Sequence, residues 1–347
     1  MSAPTTRRWV LHVDLDQFIA AVEVLRNPDL LGRPVVVGGR GDPTERGVVS
    51  TASYEAREFG VVSGTPLRTA ARRIPDAVFL PVDAEAYSAV SAVVMDTLRT
   101  LGVVVEVMGW DEAFLDVETS DPESFAETVH DTVLDATGLH CSVGIGDNKL
   151  RAKIATDLGK PRGIFRLTEE NWFAVMGARS PEALWGIGRK TSKKLAALGI
   201  FTVQQLAEAP DRELAAVLGP NMGPWYARIA RGIDHSAVSA EPWVAKSHSR
   251  ETTFQQNLVD LPSITEHVRR LADRVREDII AENRPAVRVT VKVRYAPFDT
   301  HTASMPITDP TFDADVIADS AAALVDRFDH GREVRLLGVR LEMAPPT

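Results

Sequence analysis

Three carboxylates stand where predicted β-strands end. Residues 9–16 alternate between apolar and polar side chains, which is the period of a β-strand, and Asp14 lies on the polar side. Asp111 and Glu112 fall beside the turn of a predicted β-hairpin. If a sheet brings these acids together, their repulsion must be relieved by cations, and magnesium with oxygen ligands is the natural choice. The alternative is that they are ordinary exposed acids in turns.

Paired metal ions are what such acids would hold. Two ions ~3.5–4 Å apart clamp the attacking and leaving oxygens of a phosphoryl transfer. The pattern therefore predicts two Mg²⁺ as cofactors, with Mn²⁺ as a substitute.

Tyr54, Arg57 and Lys160 have side chains suited to gripping a polyphosphate. Tyr54 and Arg57 are three residues apart in a helix-like segment and so share one face. A guanidinium holds phosphate oxygens bidentately, and a lysine adds a point charge. Tyr-x-x-Arg alone is too common a pattern to indicate a function.

A glycine turn formed by Gly186 and Gly188 opens onto a basic helix. Such a turn presents free backbone N–H groups to an anion, and Lys190 and Lys193 would flank the same phosphate. The pattern is that of a helix-hairpin-helix, which holds the DNA backbone without reading its sequence. The alternative is an ordinary helical packing unit. The chain has no P-loop sequence, which argues against a P-loop ATPase.

Composition bounds the remaining possibilities. Of the 347 residues, 44% are hydrophobic and 25% are charged, which is typical of a globular protein and excludes a disordered tail or a collagen. The single cysteine, Cys141, cannot form an intramolecular disulfide, which fits a reducing compartment. Neither a signal peptide nor a run of ~20 apolar residues is evident. The sequence therefore predicts a cytoplasmic protein without a membrane partner.

Charge is distributed unevenly along the chain. The net charge of −9 argues against a polyanionic partner. Residues 147–200, however, contain eleven Lys and Arg against five Asp and Glu. This basic segment is compatible with a local phosphate-binding face, so charge alone leaves nucleic acid binding open.

The predicted elements divide the chain into three parts. Alternating strands and helices up to about residue 175 predict a mixed α/β domain. Short helices separated by glycines follow at 180–235, and a break at 241–243 begins a small α+β domain. Within it, residues 287–294 alternate valine with polar or basic residues, which predicts a half-buried strand with a basic outer face.

That outer face is the predicted DNA contact of the last domain. Alternate residues of a strand, which rises ~3.3 Å per residue, can follow a phosphate backbone. The acidic residues are expected on the helical side. The candidate contacts are Arg288, Thr290, Lys292 and Arg294 on the strand, with Lys246, His248 and Arg250 in the preceding linker.

In their order along the chain, these motifs resemble those of the Y-family translesion DNA polymerases, most closely the polymerase IV-like branch. The resemblance covers about residues 10–200, and the rest has the length of the family's final domain. The matching segments are 13–18 (VDLDQF), 53–61 (SYEAREFGV), 111–116 (DEAFLD), 142–145 (SVGI), 148–149 (NK), 152–155 (AKIA), 160–161 (KP) and 186–188 (GIG).

The resemblance implies an α/β and α+β multidomain fold, the right hand of a polymerase. Its palm would comprise residues 1–18 and 84–175, its fingers 19–83, its helical thumb with the helix-hairpin-helix 176–240, and its C-terminal little finger with a preceding linker 241–347.

Site residues follow from the same resemblance. It implies Asp14, Asp111, Glu112 and the carbonyl of Leu15 as metal ligands. It implies Tyr54, Arg57 and Lys160 as ligands of the incoming triphosphate, with Thr51 as a further hydroxyl. Asp16 belongs to the first motif, but the family does not use it as a metal ligand.

The implied activity is template-directed, low-fidelity DNA synthesis by a monomer acting on primer–template DNA and dNTPs. No segment of ~150 residues is left for a proofreading exonuclease. Residues 343–347 contain no Gln-Leu-x-Leu-Phe-like peptide, so the sequence leaves recruitment by a sliding clamp open and predicts low processivity.

The sugar gate departs from the family pattern. Phe18 is followed by Ile19, where the family usually has Phe or Tyr, whose ring blocks a ribose 2′-hydroxyl. The sequence therefore predicts weak discrimination against ribonucleotides, so that rNTPs are substrates as well. The alternative is that Ile19 itself, or Tyr54, still fills the space. Trp110, before Asp111, is a second departure, where the family more often has a small aliphatic residue.

Two other functions compete with polymerase activity. One is a catalytically inactive relative that binds DNA as an adaptor in damage tolerance. It would have no need of all three acids together with Tyr54, Arg57 and Lys160. The other is a nucleotidyl cyclase, but the glycine turn and the basic strand favour a polymeric substrate.

Overall fold

The computed structural model describes residues 6–346, so residues 1–5 of the predicted palm and residue 347 of the predicted little finger lie outside the described residues. The chain forms two compact units. The first consists of the residues up to Val37, Ser50–Ser63 and Asp76–Pro242. The second consists of Gly38–Val49, Gly64–Pro75 and the residues from Trp243 onward, so two segments of the predicted fingers belong to it.

The N-terminal half alternates strands and helices, as predicted. Its elements are β1 (Arg7–Leu15), α1 (Phe18–Arg26), β2 (Val35–Val37), β3 (Thr51–Ala52), α2 (Tyr54–Arg57), α3 (Leu67–Arg73), β4 (Val78–Leu80), α4 (Ala84–Arg99), β5 (Val104–Val107), β6 (Glu112–Thr119), α5 (Pro122–Thr137), β7 (Cys141–Gly146), α6 (Lys149–Gly159) and β8 (Ile164–Leu167).

A five-stranded sheet in the order β5-β6-β1-β7-β8 is the centre of the first unit. Neighbouring strands are antiparallel except for β7 and β8. The alternating apolar residues of β1, such as Leu11 and Val13, lie in a core with residues of α4 and α5. Helix α6 contacts the strands β1 and β7, and His12 on the polar side of β1 is buried as well. Both faces of this strand are therefore covered, whereas the alternation predicted one polar face.

Helix α6 lies very close to β7. A Cβ atom at Gly144 would stand 2.0 Å from the carbonyl oxygen of Ala152, and one at Gly146 would stand 2.4 Å from the Ala152 nitrogen. Only glycine fits at these two positions, because backbone meets backbone there. Asn148 caps the helix by accepting a hydrogen bond from the Arg151 N–H. This contact fixes the side chains of α6 over the sheet.

The helical part of the first unit has its own core. Its helices are α7 (Trp172–Met176), α8 (Arg189–Ala197), α9 (Val203–Glu208), α10 (Asp211–Leu218) and α11 (Met222–Ala230). Leu195, Val203, Leu206 and Leu214 are completely buried between them. The absence of strands from residues 180–235 is confirmed.

The second unit contains the elements β9 (Ser247–Leu258), α12 (Leu261–Ala281), β10 (Ala286–Tyr295), β11 (Asp299–Thr311), α13 (Ala314–Val325) and β12 (Val334–Met343). The four strands form an antiparallel sheet in the order β11-β10-β12-β9. The two helices share a core with the buried residues of this sheet. The predicted strand at 287–294 is confirmed, as are the two helices that amphipathic patterns at 264–280 and 314–328 predict.

Within residues 6–346, no helix has the length and apolar character needed to cross a membrane.

Candidate active site

The three acids meet at one end of the palm-like sheet. The antiparallel register of β1 and β6 places Asp14 directly opposite Glu112. The Leu15 N–H donates to the Asp111 carbonyl at 2.9 Å, so the residue before β6 is tied to the end of β1. The Leu15 side chain is buried in the core, which leaves its backbone at this edge. The expected grouping of the acids is therefore present.

The acids at this edge are partly buried, and their surroundings shift their pKa values. Burial raises the pKa of Asp14, although the nearby Lys160 ammonium opposes the rise and Asp111 adds to it. Burial also raises the pKa of Asp111, and the neighbouring charge of Glu112 raises it further. Glu112 behaves in the opposite way, because a hydrogen bond with His12 and the Lys153 ammonium lower its pKa to about 2.

Two lysines supply positive charge to the acids. Lys160 Nζ lies 2.8 Å from Asp14 Oδ1. Lys153, from α6, forms an ion pair with Glu112 Oε2, and His12 Nε2 is 3.3 Å from the same oxygen. Across residues 6–346, no three His, Cys, Asp or Glu side chains are arranged as ligands of one metal ion. Asp14 and Glu112 face lysines in this arrangement, and their role as metal ligands stays a prediction.

The chemistry of the donors nevertheless fits a hard divalent cation. Carboxylates and a backbone carbonyl are the ligands that Mg²⁺ prefers. Burial raises the pKa of Asp14 and of Asp111, so additional positive charge beside them would stabilise their ionised forms. A cation bound by Asp14, Asp111, Glu112 and the Leu15 carbonyl would supply that charge.

Tyr54 and Arg57 share one face of the short helix α2, as their spacing predicts. The Arg57 guanidinium lies 4.9 Å from the centre of the Tyr54 ring, and its Nε donates to the Ala52 carbonyl at 2.9 Å. Ser53 caps the helix by accepting a hydrogen bond from the Ala56 N–H. Thr51 is half-buried in β3, just before this helix.

The hydroxyl of Tyr54 donates to Asp16 Oδ1 at 2.7 Å. Burial, together with this hydrogen bond to a carboxylate, raises the pKa of Tyr54 well above its usual value. The phenol is therefore neutral and its proton is engaged.

Three residues at this edge received no role from the sequence: His12, Asp16 and Lys153. His12 is on the same side of β1 as Asp14, Asp16 directly follows the strand, and both are almost completely buried. That shared side was the available signal, but the burial of this face by α6 could not be read from the alternation. Lys153 lies in the matching segment 152–155, but no local pattern places it beside Glu112.

The predicted sugar gate lies at the start of α1. Phe18 is buried in the sheet core, and Ile19 is partly buried and packs against that core. Trp110, the second departure from the family pattern, is 42% exposed and meets the buried ring of Tyr87 edge-on at 6.4 Å between centroids.

The glycine turn of the helical part has the predicted form. Gly186 has a φ of +99°, and a Cβ there would lie 2.7 Å from the Trp225 ring, so a side chain is excluded on both grounds. Gly188 is the N-cap residue of α8, and Lys190 and Lys193 on that helix are exposed. Their contact with DNA remains a prediction.

The outer face of β10 is less basic than predicted. Arg288 Nε lies 3.3 Å from Glu342, and Lys292 Nζ lies 2.7 Å from Glu251. These two acids lie on the outer face, not on the helical side where all acids were expected. Arg294 Nε donates to the Thr300 hydroxyl at 2.8 Å. The register also places Arg340 beside Thr290, a basic residue that the sequence analysis did not select.

His248 and Arg250 were expected in a linker beside this face, which is wrong on both points. They belong to β9, and Lys246 immediately precedes that strand. Arg250 is paired in register with the buried Val339, and its Nε donates to Asp278 of α12 at 2.8 Å. His248 Nε2 contacts Glu282, just after α12. Because strand residues alternate between faces, both point away from Lys292.

Three family models match the chain. The impB/mucB/samB family covers residues 13–157, its C-terminal domain covers 245–345, and the DNA polymerase-iota thumb domain covers 182–234. Among curated proteins, DNA polymerase IV 2 of Mycobacterium tuberculosis is 51% identical, over 97% of this chain and 98% of that protein. DNA polymerase IV of Methanoculleus marisnigri is 42% identical, over 98% and 95%.

Solved structures give the same result. A Y-family DNA polymerase chimera of Dbh and Dpo4 matches with a TM-score of 0.84 at 26% identity, over 96% of this chain and 98% of that chain. The insertion ternary complex of Dbh DNA polymerase matches with a TM-score of 0.65 at 27% identity, over 98% and 100%.

The chain therefore belongs to the Y-family DNA polymerases, which are divalent-metal-dependent nucleotidyltransferases of DNA damage tolerance. Within that class, its curated relatives place it with DNA polymerase IV. The resemblance and the polymerase fold inferred from the sequence are confirmed.

Proposed function

We propose that this chain extends a primer on a DNA template with low fidelity, and that it uses ribonucleotides as well as deoxyribonucleotides. The observation that carries the first part is the acid edge, where Asp14 and Glu112 are register partners and Asp111 is tied to Leu15. We assign the palm to residues 1–18 and 84–175, the fingers to 19–83, the thumb to 176–240 and the little finger to 241–347.

Two Mg²⁺ ions, or Mn²⁺ in their place, would be held by Asp14, Asp111, Glu112 and the Leu15 carbonyl. When bound, they would activate the primer 3′-hydroxyl and neutralise the pyrophosphate that leaves.

The phosphate-binding residues provide orientation and charge. Lys160, now 2.8 Å from Asp14, would be released from that carboxylate to bind the triphosphate. Arg57 would add a bidentate contact, and Tyr54 and Thr51 would line the site. Positioning and electrostatic stabilisation of this kind supply most of the rate in phosphoryl transfer.

DNA would be held by backbone contacts that do not read sequence. The exposed Lys190 and Lys193 follow the glycine turn of Gly186 and Gly188, where free N–H groups suit a phosphate. The outer face of the second unit's sheet would also contact DNA phosphates. Its proposed contacts are Arg288, Lys292, Arg294, Arg340 and Lys246.

The second part of the proposal depends on Ile19. The neighbouring Phe18 is directed into the core, which leaves Ile19 as the partly exposed side chain at the start of α1. An isoleucine has no ring to close the space beside a ribose 2′-hydroxyl. Discrimination between the two sugars should therefore be weak.

The test is extension of a labelled primer–template under Mg²⁺, with dNTPs and rNTPs supplied separately, by the wild type and by Ile19→Phe. We expect the wild type to use both. The kcat/KM of the variant for rNTPs should fall about 10- to 100-fold, because the phenyl ring would block the 2′-hydroxyl. An unchanged ratio of the two efficiencies would reject the gate. DNA binding without extension under Mg²⁺ or Mn²⁺ would favour the adaptor.

A further inference from the structure

Asp16 is a buried carboxylate for which the proposed chemistry has no use. It follows β1 directly, and only 4% of its surface is exposed. Its N–H donates to the His140 carbonyl at 2.9 Å, which fixes its backbone. A buried carboxylate is costly unless hydrogen-bond donors surround it, so its partners indicate why it is there.

Three donors converge on this carboxylate from three separate segments. The Tyr54 hydroxyl of α2 and the Ser142 hydroxyl of β7 donate to Oδ1, at 2.7 and 3.0 Å. The Arg162 N–H donates to Oδ2 at 2.7 Å. Both oxygens are thus engaged inside the protein, which explains why Asp16 is not available as a metal ligand although it is only two residues from Asp14.

Two of these donors belong to groups that the proposed function assigns to the triphosphate. One is the Tyr54 side chain itself. The other is the turn that directly follows Lys160, in which Arg162 has a positive φ of 58°. An arginine rarely adopts that conformation, so the turn depends on contacts that hold it, and the Asp16 hydrogen bond is one of them.

We propose that Asp16 is a positioning residue for the triphosphate: its single carboxylate holds the Tyr54 ring and the 160–162 turn in a fixed relation, so that Tyr54 and Lys160 meet the phosphates together. This inference rests on the proposed roles of Tyr54 and Lys160. It adds a residue that binds no metal and touches no substrate.

Asp16→Asn is the direct test, because asparagine keeps the shape but removes the negative charge to which all three partners donate. If its NH₂ group faces the Arg162 N–H, that hydrogen bond is lost; if it faces the Tyr54 and Ser142 hydroxyls, these must accept instead of donating to a carboxylate. We expect the KM for dNTPs to rise about 10- to 100-fold, the range for a lost hydrogen bond to a charged group. The kcat and the Kd for primer–template should change less than about threefold.

Two further readouts separate positioning of the triphosphate from general damage. The KM for pyrophosphate in the reverse reaction should rise together with that for dNTPs, because the same groups hold both. The KM values for dNTPs and rNTPs should rise by the same factor, since Asp16 acts on the phosphates and not on the sugar. Ile19→Phe should change the ratio of the KM for rNTPs to the KM for dNTPs and leave the KM for pyrophosphate unchanged.

Ser142→Ala is the matched control, because it removes a donor that is not part of the nucleotide site. It should lower the melting temperature without raising the KM for dNTPs. Tyr54→Phe removes the other donor to Oδ1 and should raise the KM for both dNTPs and pyrophosphate. The double variant Asp16→Asn/Tyr54→Phe should show less than the product of the two single effects.

Failure of this inference can be distinguished from failure of the proposed function. If the wild type extends primers but Asp16→Asn keeps its KM for dNTPs within about twofold, Asp16 has no positioning role. A parallel loss of kcat and DNA affinity would also reject the role in favour of a structural one. If Asp16→Asn does not fold, an unchanged KM for dNTPs in Tyr54→Phe rejects the inference about Asp16. The proposed polymerase activity is not affected by that result. Absence of extension by the wild type would reject the proposed function itself.

Discussion

The acids of the first unit are mostly buried beside defined partners, whereas the ion pairs on the outer face of the second unit's sheet are more exposed. Asp14, Glu112 and Asp16 each have a defined cation or donor within the fold. In the second unit, Arg288 and Lys292 pair with acids across the strands at the surface. A buried charge needs a partner at a defined position, so the arrangement of buried charges is specific. Exposed ion pairs contribute little to stability, and one can be replaced by another.

This difference explains why the two regions have different roles in the proposed function. The first region must orient individual atoms of a nucleotide, which requires fixed partners. The second would hold the DNA backbone, for which positive charge dispersed over a surface is sufficient. Substitutions in the first region should therefore affect catalysis strongly and those in the second should affect affinity gradually.

The largest effect is expected for Asp14→Asn, because it removes charge from the edge where Asp14 faces Glu112. The rate of nucleotide incorporation should fall at least about 1,000-fold, the scale of removing a group that stabilises transition-state charge. Single-turnover incorporation under Mg²⁺ measures it. Asp116→Asn is the matched control: Asp116 is on β6 but bonds to Arg8 at 2.6 Å. Equal losses in the two variants would contradict the assignment.

A smaller effect is expected for Lys160→Met. The variant loses a charge that the triphosphate would bind, so the KM for dNTPs should rise about 10- to 100-fold, with DNA affinity retained. Steady-state kinetics on a fixed primer–template give both values. A fall in DNA affinity with an unchanged KM would move Lys160 from the nucleotide site to the DNA.

Lys153→Met tests how the acids are neutralised. Without the lysine, Glu112 is left largely buried with only His12 beside it, so the metal-free protein should lose about 1–3 kcal/mol of unfolding free energy. Mg²⁺ should restore more stability to this variant than it adds to the wild type, measured by thermal unfolding with and without the ion. Lys149→Met, which breaks the pair with Glu106 at 2.6 Å, should lose stability that Mg²⁺ does not restore. Identical responses of the two variants to Mg²⁺ would contradict this account.

The smallest effect is expected on the outer face of the second unit. Lys292→Ala should reduce the slope of log K against log salt for DNA binding by about 0.9, the contribution of one phosphate contact. Fluorescence anisotropy over a series of salt concentrations measures the slope. Arg250→Ala, on the opposite face, should leave the slope unchanged. If Arg250→Ala changes the slope and Lys292→Ala does not, the proposed DNA face is wrong.

The sequence predicted the elements that have strong periodicity. The strand β1, the hairpin that carries Asp111 and Glu112, and the helices α12 and α13 are present within a few residues of their expected bounds. The strands β9 and β11 were missed because both are edge strands, largely polar and exposed, so they show little apolar alternation. The placement of Arg250 was wrong for the same reason, since its strand was taken for a linker.

The grouping of the acids was predicted from the sequence, but the residues that support them were not, and the phosphate-binding roles of Tyr54, Arg57 and Lys160 stay predictions. Asp14 and Glu112 could be found because strand ends and a hairpin turn determine where they lie. The partners of Asp16 come from residues 54, 142 and 162, and only the tertiary fold brings these together. The ion pairs of Lys153 and Lys160 likewise depend on how α6 packs against the sheet, which no local pattern encodes.

The central claim is that the acid edge performs templated nucleotidyl transfer. It is tested most directly by extension of a labelled primer–template with dNTPs under Mg²⁺, comparing the wild type with Asp111→Ala/Glu112→Ala. Binding of the same DNA by both proteins should be measured in parallel. The account predicts extension that follows the template in the wild type, and none in the variant, at equal DNA affinity. Extension that persists in the variant, or a wild type that binds DNA without extending it, would contradict the claim.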